Sequence, residues 1–229
     1  MTEAYGEAWY WDKRYAKEST ASSSFDWYQK YESLAPLLHL YVPPTTRIRI
    51  LVVGAGNSAF SEGMSKDGYG DIVSIDISSV VIERMRKKYS DSPHLKYIEM
   101  DVRDMKAFEA GSFDAVIDKG TLDSLLCGHN SKLNAGRMLE EVERVLKKEG
   151  VYILITYGIP AYRLCLLRSH SWAIKLHVID KVHPGESSKA ESWELTRPVP
   201  LNSDGSLKDG IHLENMDVHY IYVCTKLSC

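Results

Sequence analysis

No stretch of this chain approaches the roughly 18 uninterrupted apolar residues of a membrane-spanning helix, so no membrane partner is expected. The opening residues, MTEAYGEAWYWDKRYAKE, scatter charge throughout and contain no apolar core of signal-peptide length. Cysteine is scarce. Cys127, Cys165, Cys224 and Cys229 are the whole set, with no CxxC and no His/Cys pair at metal-ligand spacing. Free thiols in a reducing compartment are expected, and no metal. An excess of one charge is missing too: 28 Lys and Arg stand against 31 Asp and Glu, a formal net charge of -3. No global cationic field therefore exists to collect nucleic acid or anionic lipid. There are no internal repeats. These absences lead to the expectation of a cytoplasmic protein, a monomer, with neither nucleic acid nor membrane as partner.

What is present is enough for one α/β domain with a large core, since 229 residues would cramp two. The first 47 residues are rich in aromatics, including Tyr5, Trp9, Trp11, Tyr15, Trp27 and Tyr28. From residue 27 to 40 apolar positions recur at helical spacing, and Pro43-Pro44 ends that helix. Short apolar runs then alternate with helical patterns. Strands are predicted at 48–53, 72–75, 95–100, 113–117 and 151–155, with helices at 58–67, 79–89 (capped by Ser78) and 133–147. Buried strands without clean alternation, separated by helices, indicate a mostly parallel sheet covered on both faces. Beyond residue 156 a helix at 160–170 and strands at 173–182 and 219–227 are expected. They bracket a polar insert, 183–216, read as a long surface loop. The expected organisation is one domain, 1–229. An aromatic N-terminal lid (1–47) precedes a core (48–156), and C-terminal strands with their insert (157–229) follow.

The most informative local string is Leu51-Val52-Val53-Gly54-Ala55-Gly56-Asn57-Ser58-Ala59. A strand that runs into a glycine turn and then a helix brings backbone N–H groups close to a ligand, and a side chain at the turn would block the approach. The string also satisfies GxGxxA, and Asp76 follows Gly54 at dinucleotide-fingerprint distance, so at this point NAD and S-adenosylmethionine stand level. The later strand ends separate them. Asp76, Asp101 and Asp118 each close a predicted parallel strand, at the carboxyl edge where doubly wound folds bind ligands. Asp76 can accept from ribose hydroxyls. Asp101 can accept from the adenine amine, with the Val102 backbone beside the ring. A second mononucleotide half or hydride-transfer site has no candidate. Two final strands split by a long insert also suit a methyltransferase sheet, whose last strand runs antiparallel.

In order along the chain stand Tyr10-Trp11-Asp12-Lys13-Arg14-Tyr15, Phe25-Asp26-Trp27-Tyr28, Val53-Gly54-Ala55-Gly56-Asn57-Ser58, Asp76-Ile77-Ser78, Met100-Asp101-Val102 and Asp118-Lys119-Gly120-Thr121-Leu122-Asp123. Together they resemble the methyltransferase-like family that contains the elongation factor 1-alpha lysine methyltransferases, over about residues 8–157. The resemblance implies a Rossmann-like class I fold: a mostly parallel seven-stranded sheet with an antiparallel last strand, helices on both faces, and S-adenosylmethionine as cofactor. It further implies that Trp11, Tyr15 and Trp27 close over that cofactor and that Gly54 lines its methionine end. Asp76 and Ile77 would hold the ribose, Asp101 and Val102 the adenine, and Lys119 would reach it from the fourth strand. The implied acceptor is a protein lysine. Residues 157–229 match poorly, which leaves the acceptor the least anchored part of the reading.

A lysine amine must lose a proton before it attacks, and nearby carboxylates or a tyrosine can orient it. Asp118 and Asp123 are the candidates, with Tyr157 at the same sheet edge; His129 reads as a loop histidine. A small-molecule methyltransferase and a silent cofactor-binding module remain as alternatives.

Overall fold

The computed structural model describes residues 4–18, 24–181, 194–202, 206–208, 210, 211, 213 and 217–228. Seven strands form one sheet: β1 (Arg49–Val53), β2 (Asp71–Asp76), β3 (Leu95–Glu99), β4 (Phe113–Lys119), β5 (Leu146–Thr156), β6 (Trp172–Asp180) and β7 (Val218–Lys226). Their order is β3-β2-β1-β4-β5-β7-β6. β1 pairs in parallel with β2 and β4, and so do β2 with β3 and β4 with β5; β7 runs antiparallel to both β5 and β6. This is the expected sheet.

Period-2 alternation within β1 divides the core. Ile50 and Val52 face one side, where they pack with Leu34, Leu37, Met64 and Ile82 of α2 (Tyr31–Tyr41), α3 (Phe60–Lys66) and α4 (Ser79–Lys88). α1 (Ala8–Lys17) adds Tyr15 to that layer. Leu51 and Val53 face the other side, covered by α5 (Thr121–Cys127), α6 (Ser131–Val145) and α7 (Pro160–Leu167). Ser78 caps α4 as expected, its side chain accepting from the Val81 N–H.

Three differences from the sequence reading have physical causes. β5 starts at Leu146 rather than 151, because Phe113 pairs with Leu146 and Ala115 with Val151 while the polar residues between bulge outward, Glu149 at φ +62°. α5 was not expected as a helix: at seven residues it is too short to show a 3.6-residue period. In the 183–216 insert, residues 183–193, 203–205, 209, 212 and 214–216 lie outside the described residues. The described remainder is not all surface loop. Val199 bonds through its N–H to the Leu176 carbonyl (2.7 Å) and is buried, and Leu213 is buried with its carbonyl accepting from the Tyr220 hydroxyl. Isolated apolar residues in a polar stretch carry no periodicity that would reveal this.

Candidate functional site

All parallel strands deliver their carboxyl ends to one edge, and a cavity lies along it. The turn after β1 is its floor. Gly54 and Gly56 both adopt left-handed backbone, φ +56° and +55°. A Cβ on Gly54 would overlap Thr121 Oγ1 and stand 3.0 Å from both Thr121 Cβ and Cγ2; a Cβ on Gly56 would come within 2.7 Å of the Tyr15 hydroxyl. Two side chains from distant segments therefore press on this turn. Thr121 Oγ1 donates to the Val53 carbonyl at 3.0 Å, which ties the start of α5 to the end of β1.

At the end of β2, Asp76 is buried and accepts from the Gly56 N–H and the Ser78 N–H, both at 2.9 Å. Burial raises its carboxyl to about 6, against the pull of those two bonds. One protein bond on each oxygen leaves acceptor positions open. Asp101, just beyond β3, is more heavily engaged: Arg103 takes both oxygens through its guanidinium (2.7–3.0 Å), and the Arg103 N–H adds another bond at 2.9 Å. Ile77, Met100 and Val102 complete this end of the cavity.

The aromatic N-terminus forms the roof. Asp12 of α1 accepts from the Ser78 hydroxyl (2.6 Å) and the Val80 N–H (3.4 Å), anchoring α1 on the start of α4. Glu18 accepts from Asn57 in the glycine turn at 2.9 Å. Trp11 and Tyr15 stack with centroids 6.0 Å apart, and the Arg14 guanidinium lies over Trp11, Phe25 and Trp27 at 5.0–5.8 Å. Residues 25–29 then cross the cavity as a strap. Lys119, largely buried, holds it with an ion pair to Asp26 (3.2 Å) and a bond to the Trp27 carbonyl (3.0 Å); Ser58 donates to Asp26 as well. Burial pushes the Lys119 amine down, and Asp26 opposes the shift. Gln29 fixes the strap's far end to the Asp180 carbonyl at 2.8 Å.

The nine residues expected around a cofactor, Trp11, Tyr15, Trp27, Gly54, Asp76, Ile77, Asp101, Val102 and Lys119, all line this one cavity. Asp123 lines it as well, but Asp118 does not. Asp118 is fully buried and accepts from the Thr121 N–H (2.8 Å), the Leu122 N–H (3.2 Å) and the Tyr152 hydroxyl (2.9 Å), so it caps α5 from below. Burial raises it to about 7. Asp123 is also buried and is shared among Thr156 Oγ1 (2.5 Å), Arg163 Nη2 (2.6 Å), the Tyr28 hydroxyl (2.8 Å) and the Tyr157 N–H (3.3 Å). His129 is exposed, away from the cavity lining. Sequence reasoning placed Tyr28 only among the N-terminal aromatics and assigned no role to Thr121 or Arg163. Arg163 lies 40 residues from its carboxylate partner, and no local pattern links them.

A seven-stranded sheet with one antiparallel strand, helices on both faces and a glycine turn between acidic strand ends defines the Rossmann-like class I methyltransferase fold. Comparisons agree. The family model described as "Methyltransferase domain" matches residues 51–154. An eEF1A lysine and N-terminal methyltransferase of Bos taurus is 37% identical over 99% of this chain, and EEF1A lysine methyltransferase 4 of the same species is 38% identical over 69%. The chain spans 36% of the length of the first and 64% of the second. Among solved structures, an S-adenosylmethionine-dependent methyltransferase of Methanosarcina mazei superposes with a TM-score of 0.59 at 17% identity. That match covers 89% of this chain and 99% of the other, and it bears on the fold. Over nearly its whole length the chain is similar to members of the methyltransferase-like family that contains the elongation factor 1-alpha lysine methyltransferases.

The residues present fit the cofactor of that family, S-adenosylmethionine. The turn offers a cradle that a Cβ would fill, Asp76 retains acceptor capacity, and apolar and aromatic side chains wall the space between. No helix among the described residues is long and apolar enough to cross a membrane, and no group of three potential metal ligands occurs among them.

Proposed function

We propose that this chain is an S-adenosylmethionine-dependent methyltransferase acting on a protein lysine amine, with elongation factor 1-alpha as the leading target. The observation that carries this reading is a 37% identity that extends over 99% of the chain, well outside the 51–154 segment shared by methyltransferases at large, to a relative bearing that name. Bound, the cofactor supplies a methyl already activated by its sulfonium, so the protein's task is alignment and exclusion of water.

In this reading Asp76 and Ile77 hold the ribose, Asp101 and Val102 flank the adenine, and Gly54 admits the methionine end. Arg103 keeps Asp101 oriented while sharing its oxygens. Trp11, Tyr15 and Trp27 close the roof, their ring faces suited to a positive centre below. Lys119 secures the strap and stands where a methionine carboxylate would arrive. The two carboxylates proposed for catalysis divide differently from expectation. Asp118 holds α5 and Thr121 in place from outside the cavity, while Asp123 acts inside it by organising its neighbours. Neither stands as a free base, so the proton of the incoming ammonium leaves to water. The near-neutral charge balance and the reduced cysteines Cys127, Cys165 and Cys224 suit a protein partner and a cytoplasmic setting.

Incubation with methyl-labelled cofactor and lysine-to-arginine variants of elongation factor 1-alpha tests the assignment. One replacement should remove the label. Label on a small metabolite instead, or label unaffected by every replacement, would overturn the lysine reading.

A further inference from the structure

Asp123 is an unusual carboxylate for a cavity lining, because its bonds go to four protein groups from three separate segments. Thr156 ends β5, Arg163 belongs to α7, Tyr157 follows β5, and Tyr28 sits on the strap. The Arg163 side chain is only 7% exposed, and the chain makes room for it: a Cβ on Gly158 would overlap Arg163 Cζ and Nε. The guanidinium also lies 5.8 Å from the centre of the Tyr157 ring. One buried cation thus pairs with Asp123 and stands beside Tyr157, which lines the cavity here together with Tyr28.

Tyr28 is the outcome of that arrangement. It is held at φ +65°, a conformation side chains rarely adopt, with its ring against Gly120 and, at 4.8 Å, the ring of His219. Its hydroxyl proton is committed to Asp123, and among the described residues no group donates to its oxygen. Burial and the neighbouring Asp123 raise the hydroxyl's pKa, so the proton stays. A phenol in this state cannot serve as a base; it presents an oxygen that accepts. Its place in the sheet matters as well. The acidic ends of β2 and β3 lie on one side of the glycine turn, and Tyr28, Asp123 and Tyr157 lie on the other, over β4 and β5. A cofactor whose adenosine end rests on β2 and β3 directs its methyl toward them.

We propose that Tyr28 orients the acceptor amine by taking a hydrogen bond from its N–H, and that Arg163, acting through Asp123, is the positioning residue for Tyr28. This rests on the cofactor placement and amine acceptor proposed above. The N–H bond fixes the nitrogen, and its lone pair is then free to face the methyl carbon. As the new N–C bond forms, the C–S bond breaks with its electron pair on sulfur, and no proton passes through Tyr28.

Sinefungin gives a test that does not need the acceptor's identity, since it carries an amine where the cofactor carries its sulfonium methyl. In calorimetry the Tyr28→Phe protein should bind S-adenosylhomocysteine within about twofold of the unaltered protein. It should lose about tenfold of its preference for sinefungin, the scale of one hydrogen bond from a charged donor. Arg163→Met should lose a similar preference and Arg163→Lys should recover part of it; a purely structural Arg163 would weaken both ligands alike. If Arg163→Met fails to fold, Tyr28→Phe alone still decides. With a lysine acceptor, Tyr28→Phe should lower kcat while leaving the cofactor KM unchanged. An unchanged sinefungin preference in folded Tyr28→Phe overturns the proposal. A protein that labels no lysine yet shows the Tyr28-dependent preference would overturn the lysine assignment and support the orienting role.

Discussion

Replacing Gly54 with alanine separates two kinds of constraint on the cofactor turn. The backbone at φ +56° disfavours any L side chain by about 1–2 kcal/mol. The added methyl also meets Thr121, and rotating Thr121 about χ1 brings no relief, because Cβ and Cγ2 already stand 3.0 Å away. Overpacking of this kind costs about 1–3 kcal/mol, and displacing Thr121 sacrifices its bond to the Val53 carbonyl, worth about 1 kcal/mol. The sum is a destabilisation of about 3–6 kcal/mol. Gly111 is the control: it has φ +66°, but its added Cβ would meet nothing nearer than 4.0 Å. Gly111→Ala should therefore lose only the backbone part, about 1–2 kcal/mol. Urea unfolding followed by circular dichroism measures both, and at about 2 kcal/mol/M the midpoint of Gly54→Ala should fall by roughly 1.5–3 M. Loss of S-adenosylhomocysteine binding should accompany it. If the two alanine variants unfold within about 0.5 kcal/mol of each other, the claimed contact between the turn and α5 is wrong.

Asp76→Ala should weaken S-adenosylhomocysteine binding roughly 10- to 100-fold by calorimetry, the scale of charge-assisted hydrogen bonds, with no measurable NAD binding in either form. The pH dependence follows from the same carboxyl. Its folded pKa of about 6 exceeds the ordinary 3.8, so folding favours the protonated form; that contribution to stability is full below pH 3.8 and is lost as pH rises through about 6. The anion that ribose needs is gained over the same interval. Affinity should fall by about tenfold per pH unit below 6, and Asp76→Asn should flatten the profile; an equally steep slope in that variant would assign the titration elsewhere. Deleting residues 1–30 removes Asp12, Tyr15 and the strap's ties to Lys119 and Asp123, and should abolish cofactor binding while the sheet still melts cooperatively. Normal binding by the truncated chain would confine these aromatics to packing.

Much of this architecture is written locally. Apolar runs at five strands, the Ser78 cap, the glycine turn and an aspartate at successive strand ends lie within windows of ten or so residues, so periodicity and turn chemistry reveal them without tertiary information. Parallel strands all present their carboxyl ends together, and for that reason the strand pattern alone puts Asp76 and Asp101 on one edge. The same logic went astray for Asp118. Its strand end is at that edge, but whether a side chain points into the cavity or under the next helix depends on α5, a helix too short to announce itself.

Legible in the sequence alone, then, are the order and kind of elements, the edge that carries the cavity, and nine residues expected along it for a cofactor. These depend on the chemistry of neighbours in the chain. Only the tertiary structure decided which carboxylate enters the cavity, that Thr121 is what forbids a side chain at Gly54, and that Tyr28, Asp123, Thr156 and Arg163 form one network. Those contacts join residues 28 to 163, and their partners are chosen by strand register, the strap's path and the docking of α7. The physical reason is range: propensity and capping act over a few residues, whereas a buried charge finds its partner through the packed fold.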